Sequence, residues 1–376
     1  MQNEALIGDF LENCYAEGLG ERRVKKYGYT LKSLSARLKK DFDMAVKEDI
    51  IKVVSQIEKS NYADWTKHDY KVALKKFYKW LKKTEEVYPE EVRWIKTTIK
   101  RSNGKLPEGL LVEEEVVKLI EAATNSRDKA LIAVLYESGC RAAELLSLSV
   151  KNVIFDKYGS VIVVAGKTGM RRVRLVSASP YLTAWLNNHP AKNEPESPLW
   201  ISIGNGSNQS IVYVTLRNIL ERLAEKAGLK KDVNPHHFRH SRATHLASHL
   251  TEAQLCEYLG WTQGSEMPRT YIHMSGRDVD ESIKKMYGLK EEEQRKPSQL
   301  EPKQCPRCSE INSATAKFCT RCSLALDIKI ALELEEKRQK SDDIIYRFVK
   351  AVAEKYPKEA KEILQNMGLT EELSQI

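Results

Sequence analysis

Six residues spread over the middle of this chain, Arg141, Lys167, His236, Arg239, Trp261 and Tyr271, are of the types that exchange one phosphate ester for another without a metal. Two guanidiniums can hold a pentacoordinate phosphate through paired hydrogen bonds, and a phenol can be its covalent acceptor. A phenol keeps its proton up to a pH of about 10, so a tyrosine nucleophile needs a group that takes the proton and a phosphate held in line. The local settings differ. Arg141 lies in Tyr136-Glu-Ser-Gly-Cys-Arg-Ala-Ala-Glu144, and Lys167 opens a glycine-containing turn. His236 and Arg239 share Pro235-His-His-Phe-Arg-His240, while Trp261 follows Leu259-Gly260 and Tyr271 lies in Met267-Pro-Arg-Thr-Tyr-Ile-His273.

A second constellation is separate from the first. Cys305-Pro-Arg-Cys308 and Cys319-Thr-Arg-Cys322, ten residues apart, have the spacing of a zinc ribbon, in which two knuckles supply four thiolates to one tetrahedral ion. Four cysteines leave no open coordination position, so this metal would be structural. Redox pairs or an iron–sulfur site are the other uses of such a pattern. The remaining three cysteines, Cys14, Cys140 and Cys256, lie alone in apolar stretches, which argues for a reducing compartment rather than a disulfide scaffold. No apolar run approaches the ~18 residues that span a bilayer. Met1-Gln-Asn-Glu-Ala5 has neither the basic start nor the apolar core of a secretory signal. The expectation is a soluble, cytoplasmic protein. The formal net charge of +9 favours an acidic polymer as partner.

The elements that must position these residues can be read from periodicity. Residues 1–103 read as helical and carry an excess of Lys and Arg over Asp and Glu. Trp65 to Lys83 has Tyr70, Leu74, Phe77 and Leu81 at helical spacing toward a core, with Lys71, Lys75, Lys79 and Lys82 on a neighbouring face. That lysine face is either solvated or set against a DNA backbone. Ser102 to Pro107 carries breaker residues and reads as an interdomain linker. Leu110-Leu-Val-Glu-Glu-Glu115 starts a helix with acidic residues in its first turn, and Ala130 to Tyr136 reads as a buried helix leading to Arg141. Ser160 to Gly166 and Arg171 to Val176 flank Lys167-Thr-Gly-Met170 as a β-hairpin. The rest of the chain to Gly288 is mostly helical. A charged, Pro-containing linker follows over 289–304, and beyond the cysteines two or three amphipathic helices run to the C-terminus.

In this order and context the six residues resemble those of the tyrosine recombinase (phage integrase) family. Leu259-Gly-Trp261 and the run Met267 to Asp278 are most similar to its archaeal, Xer-related branch. The resemblance covers residues 106–288, and the first hundred only by general pattern. It implies a mainly α fold with a small β-sheet. Residues 1–103 would be a helical, SAM-like core-binding domain and 106–288 a mixed α/β catalytic domain, the two forming a C-shaped clamp on double-stranded DNA. A zinc ribbon over 305–323 and a helical tail over 324–376 would follow.

The implied activity is site-specific DNA recombination through a 3′-phosphotyrosyl intermediate, with no ATP and no catalytic metal, by a homo-tetramer on two DNA sites. Tyr271 would attack, Arg141 and Arg239 would clamp the non-bridging oxygens, and Lys167 would protonate the departing 5′-oxygen. His236 would take the tyrosine's proton or donate to the phosphate. On composition alone His237 and His240 rival His236, and the resemblance leaves His240, like Glu144 beside Arg141, as a supporting residue. Trp261 departs from the commoner histidine, so it can position through its indole N–H but transfers no proton. Lys71, Lys75, Lys79 and Lys82, together with Arg171, Arg172 and Arg174 on the hairpin, are expected on DNA. Two other readings use the same residues: a type IB topoisomerase-like nicking and closing enzyme, and a recombinase-derived DNA-binding or regulatory protein.

Overall fold

The first hundred residues hold their apolar side chains at helical spacing, and in the computed structural model they fold as helices packed on an aromatic core. The structure describes residues 2–98, 110–204, 208–272, 286–287 and 298–366. The chain divides into two units, Met1–Gly104 and Lys105–Ile376. In the first, α1 (Gln2–Ala16), α2 (Glu21–Leu38), α3 (Lys47–Lys59), α4 (Asp64–Leu81) and α5 (Glu90–Arg93) follow one another. Leu74 and Phe77 of α4 are buried, and Tyr70 and Leu81 pack on the same core. Phe77 meets Phe10 edge-on at 5.3 Å and Phe42 at 4.7 Å between ring centroids. The buried Tyr78 donates to the Phe42 carbonyl at 3.0 Å, so its polar end has a partner.

The lysine row along α4 is engaged within its own unit in the free protein. Lys71 pairs with Glu58 of α3 at 2.8 Å and Lys82 lies 3.3 Å from Glu91. Lys75 donates to the Ile95 carbonyl at 3.2 Å and lies over the Tyr88 ring, which Lys79 also approaches. The segment after α4 folds back over the row and supplies Glu91, the Tyr88 ring and the Ile95 carbonyl, while α3 supplies Glu58.

In the second unit, α6 (Glu113–Ala122) leads to α7 (Ser126–Ser138), which is buried along almost its whole length. The apolar run on every side of α7 is what makes it the centre of the main core. Asn125 caps its start, accepting from the Asp128 N–H at 2.8 Å, and Gly139 ends it at φ 56°. The short α8 (Ala142–Leu146) turns away at once. Strands β1 (Val153–Asp156), β2 (Gly159–Gly166) and β3 (Gly169–Leu175) form an antiparallel sheet in that order. The expected hairpin is β2–β3, with Gly166 level with Gly169 across a turn made of Lys167 and Thr168. Glu137 at the end of α7 accepts from the backbone N–H groups of Val176, Ser177 and Ala178. That buried carboxylate pins the exit of β3 and the start of α9 (Ser179–Asn187).

Helices α10 (Tyr213–Lys226), α11 (Pro235–Ala247), α12 (Glu252–Leu259) and α13 (Met267–Ile272) complete this part. The C-terminal half of α11, α12 and α13 share a small second core of Ala243, Leu246, Ala247, Leu255, Cys256, Leu259, Trp261 and Tyr271. The expected linker over Ser102–Pro107 lies outside the described residues, as does most of the one expected over 289–304. Its last part, from Ser298, is not free chain. Ser298 donates to Glu113 at 2.8 Å, Gln299 donates to Glu114 at 2.8 Å, and Leu300 is buried in the main core. Two-residue strands β4 (Lys303–Gln304) and β5 (Ile311–Asn312) then pair in the cysteine module. The tail forms helices over Ile328–Lys355 and Pro357–Asn366, the first with no buried residue. Among the described residues no helix is long and apolar enough to cross a membrane.

Candidate active site

Three chain corners converge where the sequence placed the chemistry, and each is a helix end or a hairpin. Arg141 follows the left-handed Gly139 at the end of α7 and stands at the N-terminus of α8. Glu144 one turn on accepts from the Arg141 backbone N–H at 3.0 Å and from its Nη1 at 2.7 Å, and Arg141 Nη2 donates to the Gly260 carbonyl at 3.2 Å. Arg239 on α11 is buried, with Nη1 on the Gly139 carbonyl at 2.8 Å and Nη2 on the Leu259 carbonyl at 2.6 Å. Both guanidiniums therefore lie against carbonyls at the C-terminal ends of α7 and α12, where the helix dipole favours cations. Gly260 is left-handed at φ 64° and closes α12.

A third arginine, expected on DNA, is turned inward instead. Arg171 of β3 has a side chain only 7% exposed. Its Nε donates to the Tyr258 carbonyl at 2.9 Å and its Nη2 to Glu144 Oε2 at 2.8 Å. Strand alternation accounts for the difference, since Arg172 on the other face is exposed. Arg174 pairs with Asp156 of β1 at 2.7 Å. Glu144 is thus shared by two guanidiniums. Burial alone would raise its pKa, but Arg171 and Arg141 together hold it below the ordinary glutamate value. Burial and then the Arg141 charge push Arg239 down to about 10, which leaves it protonated at neutral pH.

Tyr271 is buried in the second core, its ring stacked on Trp261 at 5.4 Å and 12°. Arg239 lies over the other aromatic partner, 5.4 Å from the Trp261 ring. The phenol is hydrogen-bonded to Nδ1 of His240. Here the structure differs from the resemblance: the histidine on the tyrosine is His240, and His236 is exposed one turn earlier. His236 and His240 both line a cavity of about 280 Å³ with Tyr213, Arg217, Asp232 and His237. Asn234 caps α11 by accepting from the His236 and His237 N–H groups, which sets the phase of the whole Pro235–His240 run. Burial raises the Tyr271 pKa and the Arg239 charge opposes this. Burial lowers the His240 pKa, with the charges of His236, His237 and Arg239 acting in the same direction. His240 is therefore neutral at neutral pH and competent to accept a proton.

Lys167 is exposed in the β2–β3 turn and makes no ion pair or side-chain hydrogen bond among the described residues, while its neighbour Thr168 donates to the Gly260 carbonyl at 3.4 Å. Arg141, Arg239, His240, Trp261 and Tyr271 are brought together, with Lys167 on the hairpin above Gly260. The cysteines form a site of their own. The Sγ atoms of Cys305, Cys308, Cys319 and Cys322 lie within 4.8 Å of one another, with Cys305 to Cys322 at 3.5 Å and Cys308 to Cys319 at 3.6 Å. A tetrahedral ion with sulfur at about 2.3 Å has sulfur–sulfur edges of ~3.8 Å, so the set fits one metal. Ser309 and Ser323, both at φ 58°, give the two knuckles the same left-handed exit. Asn312 donates to Cys319 Sγ at 3.6 Å, and the module docks on α9 through Tyr181 and Thr315 at 2.9 Å.

Residues 110–277 match the phage integrase family, and 75% of the chain aligns at 25% identity with 94% of tyrosine recombinase XerA of Pyrococcus horikoshii. Residues 110–277 form a phage integrase family domain. Two solved structures carry the same fold. One is the XerH site-specific recombinase bound to a palindromic difH substrate, in a post-cleavage complex. It has a TM-score of 0.56 and 22% identity, covering 72% of this chain and 82% of that one. The other is a lambda integrase tetramer bound to a Holliday junction, with a TM-score of 0.55 and 14% identity over 70% of this chain and 78% of that one.

Within this integrase-family site, Arg171 is the residue that sequence reasoning assigned to the wrong surface. Glycines at 166 and 260 were the available signal. A Cβ on Gly166 would lie 2.5 Å from Glu144 Oε1, and one on Gly260 would lie 2.6 Å from Arg171 Nη1. Both glycines are spaces kept for a buried ion pair.

The shared carboxylate yields a prediction. Glu144→Gln removes the counter-charge of two guanidiniums, so stability at neutral pH should fall by about 1–3 kcal/mol. Because the Glu144 pKa is lowered, its contribution is present above the ordinary carboxylate range and is lost as the pH falls through the lowered value. Urea unfolding of wild type and variant should converge in acid. A gap that stays constant from neutral to acid pH would show that Glu144 carries no stabilising charge.

Proposed function

We propose that this chain is a site-specific DNA recombinase that cleaves one strand through Tyr271 and passes it to a new partner. The observation that carries the reading is the Tyr271 phenol held between Trp261 and His240, beside Arg239 in a cluster of fixed guanidiniums. Tyr271 attacks a backbone phosphorus, so a phenol–phosphorus bond forms and the bond from phosphorus to the 5′-oxygen breaks. The phenol's proton goes to His240 and the 5′-oxygen takes one from Lys167. Arg141 and Arg239 bind the non-bridging oxygens where charge accumulates. His236, on the open side of the cavity, donates to the phosphate, and Trp261 positions the nucleophile. One ester replaces another, so the bond energy is kept in the phosphotyrosyl link and no nucleotide is consumed.

DNA is the substrate, and four protomers act on two sites, a reading supported by the likeness to the lambda integrase tetramer on a Holliday junction. Arg172 and Lys167 on the exposed hairpin are the cations available to the duplex. The α4 lysines are engaged within their own unit and contribute at most through exchange of those pairs. Cys305, Cys308, Cys319 and Cys322 hold a structural zinc, which fixes the module on α9 and takes no part in strand exchange.

Three outcomes test this reading. On nicked suicide substrates built from candidate recombination sites, in EDTA, the full chain should form a denaturation-resistant adduct that Tyr271→Phe does not form. Salt-sensitive DNA binding without an adduct on every candidate would turn the protein into a binding module. The adduct rate should hold from neutral pH down to the ordinary histidine range and fall only below it, because the lowered His240 pKa keeps the base neutral. His240→Asn should lose that acid limb along with roughly 10²-fold or more in rate. An unchanged limb in the variant would move the base elsewhere. Native mass spectrometry should find one zinc per chain, absent from Cys308→Ser, with adduct formation retained. Metal-free wild type would end the zinc assignment.

A further inference from the structure

We propose that Arg171 is a positioning residue for DNA cleavage, holding Glu144 and through it the Arg141 half of the phosphate clamp. The inference rests on the recombinase reading above and deepens it, since Arg171 is none of the six residues that carried the resemblance.

The geometry is that of a brace between three separate elements. Arg171 leaves β3, and its fork reaches the Tyr258 carbonyl of α12 at 2.9 Å through Nε and Glu144 Oε2 at 2.8 Å through Nη2. Glu144 gives its other oxygen to Arg141 Nη1 at 2.7 Å. With Oε2 also accepting from the Arg141 backbone, the carboxylate is held at both ends and cannot rotate without breaking a contact to one arginine. The same side chain ties the hairpin that carries Lys167 to the end of α12, directly before Trp261. Three groups that must meet one phosphate, on α8, on the hairpin and after α12, thus share one side chain as their common reference.

Stability alone does not account for this arrangement. Arg171 Nη1 is buried without a hydrogen-bond partner, which costs rather than stabilises. Arg141 and Arg171 share the single carboxylate of Glu144 and Arg239 beside them is bonded to backbone carbonyls, so the three like charges are only partly compensated in the free protein. A phosphate diester supplies the missing negative charge. The site keeps a costly third cation where an apolar side chain would pack more cheaply, and the return comes when the anion binds. Lysine cannot replace it: a single ammonium cannot span Tyr258 and Glu144 with two divergent donors.

The test uses the full chain, the suicide substrate, and Arg171→Lys and Arg171→Met, each with Glu144 intact and with Glu144→Gln. Single-turnover adduct rate, adduct amplitude, DNA affinity and melting midpoint are measured for all. The expected result is a fall in rate of about 10- to 10²-fold in both Arg171 variants, as for a catalytic group displaced by about 1 Å. DNA affinity should stay within about threefold. In the Glu144→Gln background the same substitutions should cost no more than about threefold further, since both act through one contact. Wild-type rate in the Arg171 variants would overturn the proposal. So would reduced amplitude at an unchanged rate, the mark of a residue needed only for folding, or rate losses that multiply with those of Glu144→Gln. If wild type itself forms no adduct, the recombinase reading fails first and this inference falls with it.

Discussion

One carboxylate between two guanidiniums sets the terms for the rest of this site. Glu144 is 3% exposed and is bonded to both Arg141 and Arg171, while Arg239 stands nearby, hydrogen-bonded to backbone carbonyls and lying on the Trp261 ring. Cations in such a place are tolerable only if the backbone helps. The help comes from Gly139, Leu259 and Gly260, whose carbonyls are left unused where α7 and α12 end. The two left-handed glycines are therefore more than helix stops. They turn the last carbonyls toward the arginines, and they leave the room that a Cβ would fill: at Gly139 it would lie 2.8 Å from Leu259. Helix ends, hairpin register and charge balance form a single problem with a single solution.

That solution divides into parts that sequence can express and parts that it cannot. That Arg141, Arg239 and Tyr271 belong to one cluster was legible in their settings: Ser-Gly-Cys before one arginine, a Pro-His run before the other, Met-Pro-Arg-Thr before the tyrosine. α7 was legible because the run Ala130–Tyr136 is apolar on all sides, and the hairpin because Gly166 and Gly169 bracket two residues. Strand β1 was not, since three of its four residues are exposed and it is held mainly by backbone pairing to β2. The direction of Arg171 was lost for a related reason. Along Arg171-Arg-Val-Arg174 the side chains alternate between faces, and an arginine next to an arginine carries no mark of which one is buried. The partners of the α4 lysines, Glu58, Tyr88 and Glu91, were not legible either, because they reach the row only through the tertiary fold. His240 and His236 lie one turn apart on the same helix face, so only the position of α13 decides which one meets the phenol.

The cysteine module shows the opposite balance. Its four clustered cysteines were fully written in two Cys-x-x-Cys repeats. What sequence did not express is its attachment. Tyr181 meets Thr315, and the chain from Ser298 to Leu300 closes over α6 before the first knuckle, so the module sits on the body rather than swinging from it.

The tyrosine of the candidate site does not belong to the main core. Tyr271 and Trp261 sit in a cluster of eight buried residues drawn from the end of α11, α12 and α13, whereas Arg141's corner and the sheet are anchored in the larger one around α7. Cooperative units of different size open with different free energies. The carbonyls of Leu259 and Gly260 tie both arginines to this smaller unit, so its local opening loosens the arginine pair together with the tyrosine. Whether the site is assembled is then an equilibrium of its own, distinct from whether the larger core is folded.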